Sequence, residues 1–339
     1  MQKPEYLGIM KNKFTAAAIG LLVFFASCGS GNDSSPEVKP EDVKKKVVPA
    51  DLPAFNADSA YKYTAAQVAF GPRVPNTPPH VKCGDYLIAE LNKYGATVIV
   101  QAGNVTAYTG ESLKFRNIIG RIQPELKERI MISCHWDTRP FSDRDPEKPK
   151  ERFDGAVDGA ASAGIMLEIA RILKSKPATV GIDLVFFDAE DYGNPSDGNS
   201  YCLGSQYFAA RPPFTDNFPK FGINLDMVAA QSATFYCEGY SMEYASDIVF
   251  KVWDIANELG HKNTFVPENS SAITDDHFFI NSILGIKTID VIHHDPSTET
   301  GFGSYWHTQK DNMDAVNKGT MQIVGHTLLG VIYSEKSGV

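Results

Sequence analysis

Five short segments of the sequence place carboxylates or imidazoles directly beside an apolar run or a small-residue loop. Their candidate residues are His135, Asp158, Asp188, Glu190, Asp191, Asp226 and His307. Burying a charge is unfavourable unless it is paired or bound to a metal. The run 182–187 is almost entirely apolar, yet three acidic residues follow it within four positions. A cation or a shared proton is therefore expected there. Histidine and carboxylate ligands without cysteine are typical of a catalytic zinc site with an open position.

Glu190 and Asp191 are adjacent, so on an extended chain their side chains point in opposite directions. One of them can bind a metal ion while the other faces a substrate and transfers a proton. This arrangement allows a ligand and a general base to share one strand end.

Taken one at a time, these signals have simpler interpretations. A single histidine is more often structural than a metal ligand. Asp158 fits a helix N-cap, and Asp226 fits a turn at the end of a strand. Three further histidines are interpreted as structural or surface residues: His277, His293 and His294.

Hydrophobic periodicity predicts strands that alternate with helices. The predicted strands cover residues 96–101, 117–122, 129–134, 182–188, 221–227 and 285–292, and the predicted helices cover residues 82–94, 159–173, 245–259 and 321–334. This alternation is typical of a three-layer α/β/α domain with a mixed, mostly parallel central sheet. Sites in such sheets form at the carboxyl ends of the strands, where the candidate residues lie.

Composition excludes several classes of protein. The 339 residues are 43% hydrophobic and 22% charged, which is typical of a folded globular protein. The formal net charge of −9 argues against a nucleic-acid partner held by a global positive field.

The N-terminus has the pattern of an export signal. Lysines precede an apolar run over residues 14–26, which is too short to span a bilayer stably. Small residues and then Cys28 follow the run, as in a bacterial lipoprotein signal. An ordinary secretory signal is the alternative. We predict a signal peptide over residues 1–27, a flexible tether over residues 28–50 and one catalytic domain over residues 51–339. The expected location is the periplasm or cell envelope, with a lipid on Cys28.

From about residue 66 onward the chain resembles the zinc aminopeptidase superfamily and, within it, the animal-type glutaminyl cyclases. The motifs that carry the resemblance are Phe70-Gly71-Pro72-Arg73-Val74-Pro75, His135-Trp136-Asp137, Gly155-Ala156-Val157-Asp158, Phe186-Phe187-Asp188-Ala189-Glu190-Asp191, Leu225-Asp226, Asp275-Asp276-His277 and Tyr305-Trp306-His307-Thr308. The resemblance implies a zinc aminopeptidase-like fold and cyclisation of N-terminal glutamine to pyroglutamate in peptides or proteins.

The resemblance also implies a role for each matching residue. Asp158, Asp191 and His307 would hold one zinc ion, and Glu190 would transfer the proton.

Four further residues would shape the substrate pocket by the same resemblance. Asp226, hydrogen-bonded to Asp275, would stabilise the reacting amide, while Trp306 and Phe302 would line the pocket.

The sequence departs from the family pattern at three places. Asp191 stands where the animal enzymes carry glutamate, which shortens the ligand without removing it. Their second pocket tryptophan is missing, and Tyr192 or Tyr201 is the candidate replacement. Their disulfide is not expected here, because Cys134 matches one of its cysteines but Ala163 occupies the other position.

Two other functions remain open from the sequence. In a dinuclear zinc aminopeptidase, His135 and Asp226 would hold a second metal ion, and Asp158 would bridge the two. A surface lipoprotein that has lost catalysis should lack site residues, and none is lost. Trp306 before the ligand histidine, together with Asp275, favours the cyclase.

Overall fold

The computed structural model of this chain describes residues 47–336. Its strands are β1 (Thr97–Thr106), β2 (Ser112–Ile122), β3 (Arg129–His135), β4 (Gly181–Phe187), β5 (Gly222–Asp226), β6 (Phe235–Cys237), β7 (Phe265–Asn269) and β8 (Thr288–Ile292). Its α-helices are α1 (Ala57–Val68), α2 (Pro78–Lys93), α3 (Ser162–Ser175), α4 (Leu203–Ala210), α5 (Gly239–Glu258), α6 (Asp276–Phe279) and α7 (Lys318–Ser334).

The central sheet has six strands in the order β1-β2-β4-β3-β5-β8. At one edge β1 pairs with β2, and β2 with β4, in antiparallel fashion. The other pairings, β4 with β3, β3 with β5 and β5 with β8, are parallel. The prediction of a mixed, mostly parallel sheet is confirmed.

Strand β4 is buried on both faces, as its apolar run predicted. Leu184 and Phe186 belong to the main core, which also contains apolar residues of α1, α2, α3, α5 and α7. Val185 and Phe187 face a second core that includes Phe208 of α4. Because alternate side chains of one strand enter separate cores, the sheet is the middle of three layers.

Several element boundaries differ from the sequence prediction. Helix α2 begins at Pro78, four residues before the predicted start, because the Thr77 side chain caps it and proline fits the first turn. Strand β1 extends to Thr106 as one arm of a hairpin. Helix α5 starts at Gly239, where the Glu238 carboxylate accepts from the first backbone amides. The elements α1, α4, α6, β6 and β7 were not predicted.

The folded part of the chain begins slightly earlier than residue 51. The backbone amides of Val47 and Val48 donate to the Glu258 carboxylate at 3.0 and 3.2 Å. The last residues of the predicted tether are thus packed against α5. The predicted signal peptide and Cys28 lie outside the described residues. Within residues 47–336, no helix combines the length and apolar character needed to cross a membrane.

Candidate active site

The candidate site forms where strands β3, β4 and β5 end side by side. His135 is the last residue of β3, and Asp226 is the last residue of β5. Glu190 and Asp191 lie in the turn that follows β4. Neighbouring parallel strands end at the same edge of the sheet, so these four predicted residues meet there.

Asp158, Asp191 and His307 form one group of potential metal ligands. All three are buried, and their ligand atoms lie within 4.8 Å of one another. His307 Nε2 is 3.3 Å from Asp191 Oδ1 and 3.7 Å from Asp158 Oδ2. Donors at these separations can close on a single ion at the zinc–ligand distances of about 2.0–2.2 Å. The structure therefore brings together the three residues predicted as zinc ligands.

A second group shares Asp158 with the first. His135 Nε2 lies 2.9 Å from Asp158 Oδ1 and 3.3 Å from Asp226 Oδ1. These are the positions predicted for a second metal ion. Asp158 thus has one carboxylate oxygen near each imidazole.

The donor atoms fit a bound cation. Both ring nitrogens of His135, Asp191 Oδ2 and Asp226 Oδ1 are buried, and although some of these atoms lie close together, none forms a hydrogen bond with a described residue. This is unfavourable unless something else binds them. Burial lowers the pKa of His307, but the surrounding carboxylates, Asp191 first, outweigh it and raise that pKa to about 9. This excess of negative charge, together with nitrogen and oxygen donors, suits zinc.

Asp158 is positioned by the loop that precedes α3. A π-helical turn spans Ala156–Ala161, and within it Asp158 has non-helical backbone angles. The residue at the N-cap of α3 is Ala161 and no side chain caps either turn, so Asp158 is not the N-cap that its position suggested. The guanidinium of buried Arg73 holds this loop through the Gly155 carbonyl at 2.6 Å, and Asp311 Oδ2 accepts from the Asp158 amide at 3.3 Å. A Cβ at Gly159 would lie 2.6 Å from the imidazole at the end of β3, so the close approach requires glycine.

The acidic run after β4 is divided by a left-handed residue. Ala189 has a φ of 53°, which turns Asp188 away from the site. Asp188 pairs instead with buried His80 Nε2 at 2.8 Å, a contact that the sequence did not reveal. Asp137 accepts from the backbone amides of Glu190, at 3.0 Å, and of the residue after it, at 3.3 Å. These contacts fix the turn that carries the candidate base and ligand.

Glu190 lies beside the ligands and keeps 13% of its side chain exposed. Its Oε2 is 3.8 Å from His135 Nδ1, and its Oε1 accepts from the Cys202 thiol at 3.3 Å. Burial, reinforced by the charges of Asp191 and Asp275, raises the pKa of Glu190 well above its usual value. A carboxylate with a raised pKa can accept a proton and return it near neutral pH.

His307 is held from behind by a residue that the sequence analysis missed. Its Nδ1 lies 3.2 Å from Asp143 Oδ1, so its Nε2 faces Asp191. Asp143 is fixed in turn by Arg139 at 2.7 Å. Despite burial, His307 and Arg139 hold the pKa of Asp143 well below its usual range. A carboxylate behind a ligand histidine orients the ring for metal binding.

A cavity of about 270 Å³ opens beside the ligand groups. Its lining includes the remaining predicted residues, namely Glu190, Asp226, Asp275, Phe302 and Trp306. The Trp306 ring is 4.8 Å from Phe302 and is stacked on His307 at 3.9 Å.

Of the two tyrosines considered for the missing tryptophan, Tyr201 lines this cavity. Tyr192 instead donates to Glu111 at 2.6 Å and packs in a separate small core.

Asp226 and Asp275 both line the cavity, but their side chains have different partners. Burial raises the pKa of Asp226 to about 7, and the charge of Asp275 adds to the effect. Asp275 Oδ2 accepts from Asn224 Nδ2 at 2.8 Å, and its Oδ1 caps α6. The implied hydrogen bond between the two aspartates is not among the contacts of the described residues, and Asp275 is anchored to β5 through Asn224.

Comparison with known proteins identifies the family to which this chain belongs. A model of peptidase family M28 matches residues 117–332. The chain therefore belongs to peptidase family M28. A zinc-dependent exopeptidase from Parabacteroides distasonis is 48% identical, with a TM-score of 0.82 over 84% of this chain and 100% of that chain.

Within that family the chain groups with the zinc-dependent glutaminyl cyclases. A glutaminyl cyclase from Bacteroides thetaiotaomicron is 49% identical, with a TM-score of 0.82 over 84% of this chain and 100% of that chain. A glutaminyl-peptide cyclotransferase from Bothrops jararaca is 26% identical over 74% of this chain and 73% of its own length. The predicted family and fold class are confirmed.

Proposed function

We propose that this protein is a zinc-dependent glutaminyl cyclase that converts N-terminal glutamine of peptides or proteins to pyroglutamate and releases ammonia. The observation that carries the proposal is the small cavity in which Glu190 and the aromatic rings of Trp306 and Phe302 adjoin the Asp158–Asp191–His307 group. Such a cavity suits one amide side chain, and the attacking amine belongs to the substrate itself.

The protein's own groups would hold the chain for ring closure and move one proton. Trp306 and Phe302 would hold the glutamine side chain with its amide near the α-amine, which favours cyclisation. Glu190 would take a proton from the amine as the new C–N bond forms and give it to the departing ammonia. Asp226 would bind the amide nitrogen. A bound zinc ion would polarise the side-chain carbonyl and stabilise the charge that develops on its oxygen.

The first experiment is a product assay on the protein lacking residues 1–28. It is incubated separately with a peptide that begins with glutamine and with free-amine aminopeptidase substrates, and the products are followed by mass. We expect loss of ammonia from the glutamine peptide, abolished by a chelator and restored by zinc. Release of an N-terminal amino acid, with no ammonia lost, would contradict the proposal.

That second outcome corresponds to a dinuclear aminopeptidase. One observation keeps it as a candidate, namely the intact His135–Asp158–Asp226 group. In that case Glu190 would activate water, and His135 and Asp226 would be metal ligands. Measuring the metal content of the active protein by mass spectrometry distinguishes one bound ion per chain from two.

We also propose that the protein is exported and anchored in the cell envelope by a lipid on Cys28. The support is the basic segment, the apolar run over residues 14–26 and the cysteine that follows small residues. A Cys28→Ala variant should move from the membrane fraction to the soluble exported fraction and should lose labelling by a fatty-acid probe. Membrane association that survives Cys28→Ala would contradict the anchor.

A further inference from the structure

An exposed arginine stands at the mouth of the candidate active site. Arg144 lines the same cavity as Glu190 and Trp306. Its guanidinium lies over the Trp306 ring at 5.3 Å, and its backbone amide donates to the His307 carbonyl at 3.1 Å. Both contacts tie Arg144 to the segment that carries the ligand histidine, so its charge is held beside the pocket.

This guanidinium has no carboxylate partner among residues 47–336. The acidic residues on either side of it in sequence are engaged elsewhere. Asp143 pairs with Arg139 at 2.7 Å. Asp145 accepts from backbone amides, including that of Gln309 at 3.0 Å. An exposed arginine stacked on an aromatic ring keeps its planar edge free to bind a carboxylate through two hydrogen bonds.

A second cavity continues from this position. It has a volume of about 280 Å³ and is lined by Arg144, Phe302, Trp306 and neighbouring loop residues, of which Glu299 is the one carboxylate. Because Arg144, Phe302 and Trp306 belong to both cavities, a peptide whose first side chain fills the first cavity can run past Arg144 toward the second. The residue after the glutamine then lies nearest to the guanidinium.

We propose that Arg144 selects substrates that carry a carboxylate on the residue after the N-terminal glutamine. The inference rests on the function proposed above and adds a substrate class to it. The carboxylate can be an aspartate or glutamate side chain, or the C-terminal carboxylate of a dipeptide. The formal net charge of the chain is −9, and so the overall field repels acidic peptides. A preference for them requires a local cause.

The test compares kcat/KM for matched peptides. Gln-Glu-Ala-amide is compared with Gln-Gln-Ala-amide, and free Gln-Ala with Gln-Ala-amide, which separates the two sources of the carboxylate. For a solvated ion pair worth about 1 kcal/mol, the wild-type ratio should be roughly fivefold in favour of the acidic peptide and should fall with added salt. Arg144→Gln should bring the ratio to one or below, and Arg144→Lys should restore part of it.

The matched control is Lys148→Gln, which removes one charge from the same loop. Lys148 pairs with Glu151 at 3.4 Å and lies outside both cavities, so this variant should keep the wild-type ratio. A wild-type ratio of one for both peptide pairs, or a ratio that Arg144→Gln leaves unchanged, would overturn the inference while the cyclase stands. If the wild type cyclises none of the peptides, the proposed function fails as well.

Discussion

At the scale of single residues, the site depends on side chains that hold others in place. Glu190 is the exception, because its carboxylate lies in the cavity and, within residues 47–336, accepts a hydrogen bond from the Cys202 thiol alone. The assignment of Glu190 as the proton-transfer residue remains a prediction, as does that of the metal ligands. Two substitutions can test them separately.

Glu190→Gln preserves the shape of the side chain but removes its basicity. We expect zinc content to stay at the wild-type level and kcat to fall by about 10²- to 10⁴-fold, since that is the usual contribution of a positioned acid–base group. Asp191→Ala should instead lose the metal. Wild-type turnover by the Glu190→Gln protein would rule out the assignment of Glu190.

Asp143→Ala leaves the three predicted zinc ligands untouched but removes the carboxylate behind His307. Zinc affinity, measured by competition with a chromogenic chelator, should weaken by about 10- to 100-fold, because the ring is no longer oriented. Glu147→Ala, an exposed substitution on the same loop, is the control. Equal affinities for the two variants would show that Asp143 does not support the ligand.

At the scale of elements, the sequence predicted to within one residue where β3, β4 and β5 end, but not what happens after them. Apolar runs such as residues 182–187 predict buried strands because periodicity and burial are local properties. The left-handed Ala189, the Asp188–His80 pair and the position of Asp143 depend on loop conformation and long-range contacts. No local pattern encodes these features.

Helices α5 and α6 are joined by a buried hydrogen bond between Glu238 and His277. Glu238 caps α5 and lies 2.9 Å from His277 Nε2, and both side chains are fully buried. Burial opposes ionisation, but His277 and the backbone amide of Ser241 lower the pKa of Glu238 to about 2. His277 is thus structural, as the sequence analysis interpreted it.

The lowered pKa makes this pair sensitive to acid. An unfolded glutamate titrates near pH 4.3, so the ionised Glu238 stabilises the fold above that pH, and the contribution is lost as pH falls toward about 2. The shift corresponds to roughly 3 kcal/mol. Glu238→Gln should be destabilised at pH 7 and should lose less stability than the wild type on acidification to pH 3.

Urea unfolding at pH 7, 5 and 3 measures the difference. Glu128→Gln is the matched control, because Glu128 forms an exposed pair with Lys220, and such pairs contribute little. Identical acid sensitivity in the wild type and Glu238→Gln would exclude this role.

At the scale of the whole molecule, the described chain is stabilised without disulfides. Cys83, Cys134, Cys202 and Cys237 are free and buried. Cys134 lies in the main core, as does Ala163. A domain of this size buries enough apolar surface to be stable without covalent cross-links.

A reducing agent should therefore leave the melting temperature within about 1 °C of its value without reductant. Loss of a native disulfide costs about 2–5 kcal/mol, which would lower the Tm by several degrees in a domain of this size. A fall of that size would reveal a cross-link between these cysteines. Alkylation of the native and unfolded protein, followed by mass measurement, counts the free thiols independently.

Asp158 has one carboxylate oxygen beside each of two imidazoles, His135 and His307. The same backbone therefore offers adjoining positions for one ion or for two. Ring closure by the substrate's own amine would use one bound ion, and attack by water would use two. Neither arrangement requires a strand to move. We therefore expect a chain with this fold to be able to exchange one reaction for the other through substitutions at the site, with the central sheet unchanged.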